Sequence, residues 1–167
     1  MQNRPSPPRF MADAMLGRLA RWLRMLGYDT AYEKIIADEP VIERTLREDR
    51  RLLTRDRYLA QRRNIRGRCL LIDGDHLDEQ LRQLQLELHL DLLPSEHRPF
   101  RCANCNAVPI PVAPREVEGL VPPYVARHYD RFAQCPSCRQ VYWPGTHWEA
   151  MIGRLSAIRG METDPCV

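Results

Sequence analysis

Four aspartates stand where short apolar runs break into polar turns: Asp13 after Arg9–Ala12, Asp38 after the run opened by Thr30, Asp56 after Leu52-Leu53-Thr54, and Asp73 after Cys69–Ile72. Such runs, bounded by turn formers, predict short buried strands. If those strands are parallel, the acids share one sheet edge, the edge where open α/β sheets place their ligand crevices. Clustered carboxylate oxygens suit a hard divalent cation, Mg²⁺ or Mn²⁺, that keeps several of its waters. A site of that kind activates water against a phosphodiester, with two ions about 3.5–4 Å apart when both bind. The fourth position is shared by Asp73 and Asp75. Each acid also has a plainer reading: Asp13 and Asp38 precede helical patterns and are good N-caps, a role that uses one carboxylate oxygen and leaves the other free.

The surroundings of Asp56 sharpen the chemistry. Between Arg50 and Arg68 the chain carries eight arginines and one acid, Asp56 itself. A field of guanidinium groups keeps a carboxylate ionised and attracts a polyanion. Arg55, Arg62 and Arg63 are candidate phosphate contacts, and Thr54 is placed either to orient Asp56 or to meet a phosphate oxygen. The bland alternative is a salt-bridged Asp on a solvated basic face.

The elements needed to position these groups are legible. Leu16, Leu19, Ala20, Leu23 and Leu26 recur at helical spacing, with Arg18, Arg21 and Arg24 on the other side and Gly27 as a C-terminal stop. Thr30–Ile35 predicts a second strand, and Asp38-Glu39-Pro40 opens a helix backed by Val41, Ile42 and Leu46. A short helix through Tyr58, Leu59 and Ala60 follows Asp56, and Leu77, Leu81, Leu84 and Leu88 mark another after the fourth strand. Strands alternating with helices imply a parallel sheet covered on both faces. No Gly-rich phosphate loop is present.

Near residue 97 the helical pattern stops and two Cys-x-x-Cys pairs begin, Cys102/Cys105 and Cys135/Cys138. Two such knuckles close a tetrahedral thiolate shell around zinc, and a site with four protein ligands is structural. This places an α/β domain over residues 9–96 and a zinc ribbon with a C-terminal helix over 97–160. Thr146 and Glu149 have capping-box spacing, so a last helix is expected from about His147 to Ile158. Tyr142, Trp143 and Trp148 are able to stack nucleobases, but packing of the ribbon is the stronger expectation. His147 is expected to be structural, Cys69 a buried strand residue and Cys166 a loose terminal thiol. Neither a membrane-length apolar run nor a signal-type leader is seen, and with reduced cysteines the expected location is cytoplasmic.

The segment Phe10–Asp29, the Leu53-Thr-Arg-Asp56 motif, and the run from Arg101 through both knuckles to His147 together resemble the Mut-seven C-terminal RNase domain family. The resemblance covers about residues 9 to 158. It implies an α/β fold, a PIN-like three-layer domain with a mainly parallel central sheet, plus a small C-terminal zinc ribbon. It also implies a Mg²⁺- or Mn²⁺-dependent ribonuclease acting on RNA, single-stranded by expectation, with Asp13, Asp38 and Asp56 as metal-binding acids and Asp73 or Asp75 as the fourth. A non-catalytic RNA-binding adaptor on the same scaffold is the alternative, and a phosphatase a third.

Overall fold

The computed structural model describes residues 6–34 and 37–160; the expected end of the second strand at Ile35 and the thiol of Cys166 lie outside them. The chain divides into two compact units, Met1–Asn106 and Ala107–Val167.

The first unit is built on four short strands: β1 (Phe10–Ala12), β2 (Thr30–Tyr32), β3 (Arg51–Thr54) and β4 (Cys69–Leu71). They pair in parallel in the order β2-β1-β3-β4. Register follows from the pleat. Met11 lies opposite both Ala31 and Leu52, so these three side chains share one face. On that face they join Val41 and Ile42 of α2 (Asp38–Arg47), Leu59 of α3 (Arg57–Ala60) and Ile65 in one buried cluster. The helix α1 (Gly17–Met25) packs on β1 and β2 and against α4 (Leu77–Leu88). Right-handed crossovers explain the allocation. The chain steps from β1 to β2 in one direction and from β2 through β3 to β4 in the other, so α1 and α2 must cover opposite faces.

Two local expectations need revision. Arg24 is buried, 4% exposed, among Leu19, Ala20 and Leu23. It was expected on the solvent side with Arg18 and Arg21, but its guanidinium meets backbone carbonyls that sequence spacing does not reveal. Ala37, not Asp38, is the N-cap of α2, and Asp38 is the first helical residue with no side-chain cap. Gly27 behaves as expected. It follows the helix C-cap at φ +89°, and an added Cβ would lie 2.6 Å from the Arg98 carbonyl oxygen.

The second unit carries an antiparallel sheet of β5 (Ile110–Val112), β6 (Phe132–Gln134) and β7 (Val141–Tyr142), in that order, with helices α5 (Pro123–His128) and α6 (Thr146–Gly160). Val117, Val121, Val125, Phe132 and Val141 form its small core, and Trp143 packs against it. α6 begins one residue before the expected start. The Gly145 carbonyl accepts from Trp148 and Glu149, so Gly145, not Thr146, stands where the cap does.

Candidate active site and cysteine cluster

The sheet order reverses between β1 and β3, the strands that carry Asp13 and Asp56 at their carboxyl ends. A crevice opens at such a reversal because the flanking helices leave to opposite faces. Asp13, the first residue past β1, is 7% exposed. Its Oδ1 accepts from the Met15 amide at 2.9 Å and so caps the turn Ala14–Leu16. Contrary to the expectation of a free second oxygen, Oδ2 accepts from the Thr54 hydroxyl and from the Arg55 amide at 2.9 Å. An ionised carboxylate offers about four acceptor positions, so three bonds leave room for one further ligand.

Thr54 joins the two aspartates. Its side chain is fully buried, its hydroxyl donates to Asp13 Oδ2, and its Oγ1 accepts from the Asp56 amide at 2.9 Å. The Thr54 hydroxyl is thus buried, and its one hydrogen is given to Asp13. Asp56 Oδ1 accepts from the Tyr58 and Leu59 amides at 2.7 and 3.1 Å and caps α3.

The remaining acids are placed differently. The Asp38 carboxylate lies 3.6 Å from Arg62, which also pairs with Glu39. Asp73 is exposed just past β4, its amide donating to Gln83. Asp75 pairs with Arg55. Among the described residues, no three of these acids bring oxygens within 4.8 Å of one another. The protein therefore links Asp13 to the Asp56 backbone through the Thr54 side chain, whereas Asp38 faces Arg62 and Asp73 lies exposed past β4.

The arginine field splits in two. Arg50 is 6% exposed and reaches back across the amino ends of the strands, donating to the Phe10 carbonyl and ion-pairing Asp29 and Glu48 at 2.7 and 2.6 Å. Arg68 pairs with Asp49. β3 starts at Arg51 and ends at Thr54, so Arg50 and Arg51 stand at its amino end and Arg55 and Arg57 past its carboxyl end, and a continuous run in sequence serves two opposite sheet edges. Arg63 is exposed beside Arg62.

That amino edge is a second polar centre. Burial alone would raise the Asp29 pKa, but hydrogen bonds from Arg50 and Asn106, with the Arg50 and Arg101 charges, hold it down at about 2. Asn106 also accepts from the Thr30 amide at 3.0 Å. Arg24 donates to the carbonyls of Thr30, Ala103 and Asn104 at 2.8, 2.9 and 3.0 Å. Burial lowers the Arg24 pKa, and negative charge on the Cys102 and Cys105 sulfurs opposes that shift. The first knuckle is thus seated on the sheet edge opposite the paired aspartates. Cys69, half-buried, has its thiol pushed up to about 11 by burial and by Asp13, so it stays protonated and inert.

The Sγ atoms of Cys102, Cys105, Cys135 and Cys138 all lie within 4.8 Å of one another. A tetrahedral zinc with bonds of about 2.3 Å needs sulfurs about 3.8 Å apart, so the set fits that ion. Both knuckles share a backbone device. Asn106 and Arg139, each four residues after its knuckle's first cysteine, adopt φ of 72° and 64°. Their amides donate to the Cys102 and Cys135 carbonyls at 2.9 and 3.0 Å. Left-handed Asn is a readable signal; Arg in that conformation is not.

No helix among the described residues is long and apolar enough to cross a membrane. Neither curated proteins nor solved structures give a significant match to the chain. Residues 8–155 match the Mut7-C RNAse domain, and the chain belongs to that family.

Proposed function

We propose that the chain is a ribonuclease that hydrolyses RNA phosphodiester bonds at the carboxyl edge of its parallel sheet, with a Mg²⁺ or Mn²⁺ ion held by Asp13 and Asp56. The observation that carries this reading is the Asp13–Thr54–Asp56 linkage at the strand-order reversal. One or two protein carboxylates plus substrate phosphates are the usual ligand set for Mg²⁺, so a coupled pair fits without a closed cage of four acids. Bound there, the ion would supply Lewis-acid polarisation and a more acidic water. The chain's own work is positional. Thr54 and the amides of Met15, Arg55, Tyr58 and Leu59 fix the carboxylates, while Asp38 and Asp73 add negative potential at the rim. Arg55, Arg62 and Arg63 draw the RNA backbone in. Zinc in the four-cysteine site would maintain structure, and its thiolate ligands favour a reducing compartment such as the cytoplasm.

Asp56→Asn is the cleaner test. Asn at this position still caps α3 through its oxygen, so the fold is kept while the charge is lost. Cleavage of a single-stranded RNA with Mn²⁺ is expected to fall by orders of magnitude in this variant, with an unchanged melting curve, and to stop in the parent when a chelator is added. Asp13→Asn should lose activity and stability together, because one Asn oxygen cannot serve the donors on both sides of Asp13. Parent-like cleavage by Asp56→Asn would refute the metal role. RNA that binds tightly but is never cut would make the chain an adaptor.

A further inference from the structure

Four amides hold the paired carboxylates, and two of them belong to residues with exposed apolar or aromatic side chains. Met15, whose amide caps on Asp13, is 66% exposed, and Tyr58, whose amide caps on Asp56, is 86% exposed. Each lies two residues beyond its aspartate, in the first turn after its strand, and those strands are hydrogen-bonded neighbours with Ala12 opposite Leu53. An isolated exposed apolar residue needs no explanation. Two of them, each just past one of two neighbouring strands and each anchored through its backbone to an aspartate of the proposed site, form a pattern.

We infer that Tyr58 and Met15 are a base-binding platform, on which the nucleobases flanking the scissile phosphate of single-stranded RNA stack when that phosphate is at Asp13 and Asp56. This rests on the ribonuclease reading and adds to it the source of strand selectivity. The chemistry favours a base as the occupant. An aromatic face stacks on any nucleobase, which gives affinity without sequence choice. The thioether of Met is polarisable and adapts to irregular apolar partners. Arg57, exposed between Asp56 and Tyr58, adds a guanidinium able to meet the backbone of the same nucleotide. In a duplex the base faces are already covered by their neighbours, so only an unpaired strand can use the platform. Because the side chains are fixed to the carboxylates through one peptide unit each, a base stacked on Tyr58 also sets where its phosphate falls.

The test compares Tyr58→Ala and Tyr58→Trp with the parent, using full-length chain with Ca²⁺ in place of Mn²⁺ to suppress cleavage. Binding is measured to a single-stranded oligoribonucleotide, to an abasic oligomer of equal length, and to a duplex. Tyr58→Ala should weaken binding of the single strand by about five- to a hundredfold. The abasic and duplex ligands should bind it like the parent, Tyr58→Trp should restore the single-strand affinity, and all three proteins should melt together. Met15→Ala should act in the same direction with a smaller effect. Equal single-strand binding by Tyr58→Ala and a cleaving parent would overturn the platform and leave the ribonuclease reading intact. A parent that binds none of the three ligands would overturn both.

Discussion

Replacing Thr54 by Val removes one hydroxyl from a fully buried position and changes almost nothing else in shape. The lost donor served an ionised carboxylate, a class of hydrogen bond that contributes about 1.5–3 kcal/mol. Its oxygen also accepted the Asp56 amide, which the variant leaves unpaired at a part-buried site at a further cost of about 1 kcal/mol. The new methyl group recovers about 0.8 kcal/mol. The net expectation is a destabilisation of about 2–3 kcal/mol, or roughly 4–12 °C in melting temperature for a chain of this size. Activity should drop further than stability explains. Thr54 orients the Asp13 carboxylate and holds the backbone of Asp56, and loss of such a supporting partner typically reduces metal affinity or turnover by about 10–100-fold. Thr54→Ser is the control: it keeps the hydroxyl, costs about 1 kcal/mol for one missing methyl, and should cleave within a few-fold of the parent. The assay is Mn²⁺ titration and RNA cleavage at a temperature where every variant is folded. A Val variant that binds Mn²⁺ and cleaves like the parent would refute the coupling, as would a Ser variant as impaired as Val.

Three further outcomes are expected. Asp29 has a folded pKa of about 2, below its unfolded value of 3.8. Its stabilisation, about 2 kcal/mol, is therefore complete above pH 4 and lost as pH falls through 2, and in Asp29→Asn an acid melting series should show a shallower decline over that window. Purified chain should hold about one zinc, and Cys102→Ser should lose it and lower the melting temperature; a folded sample with little zinc would count against the thiolate site. Arg63→Gln should reduce the salt slope of single-stranded RNA binding by about 0.7. Arg62→Gln should do so less, because Arg62 already pairs with Asp38 and Glu39; equal slopes in both variants and the parent would move the RNA elsewhere.

What could be read in the chain beforehand was whatever depends on near neighbours. Asp13 announces itself as a cap because its partner is the amide of Met15, two residues on; Asp56 caps α3 by the same local means, through Tyr58 and Leu59, but the arginines around it point to a salt bridge instead. The apolar runs locate the strands, and the cysteine spacing locates the knuckles, for the same local reason. Thr54 was ambiguous because its partner Asp13 is 41 positions away. Arg24 was misplaced because the carbonyls it serves lie on another segment altogether. The arginine run looked like one charged surface because sequence adjacency hides the fact that a four-residue strand has two ends. Asp38 looked equivalent to Asp13, yet its helix starts from Ala37, so no amide of that turn is capped by its carboxylate.

The seat of the first knuckle also constrains the order in which the chain can be completed. Thr30 is fully buried, and its amide and carbonyl find their side-chain partners in Asn106, 76 positions downstream, and in Arg24, whose guanidinium in turn grips Ala103 and Asn104. During synthesis the strands and first helices emerge long before residues 101–106 do. Until then the amino edge of the sheet lacks the donors and acceptors it will finally use, and unpaired buried groups of this sort are costly. Closing so distant a contact is slow compared with forming local helices. The nascent sheet is therefore incomplete on the side away from the aspartates until the first cysteine pair has left the ribosome, and a fragment ending at residue 96 would carry that defect permanently.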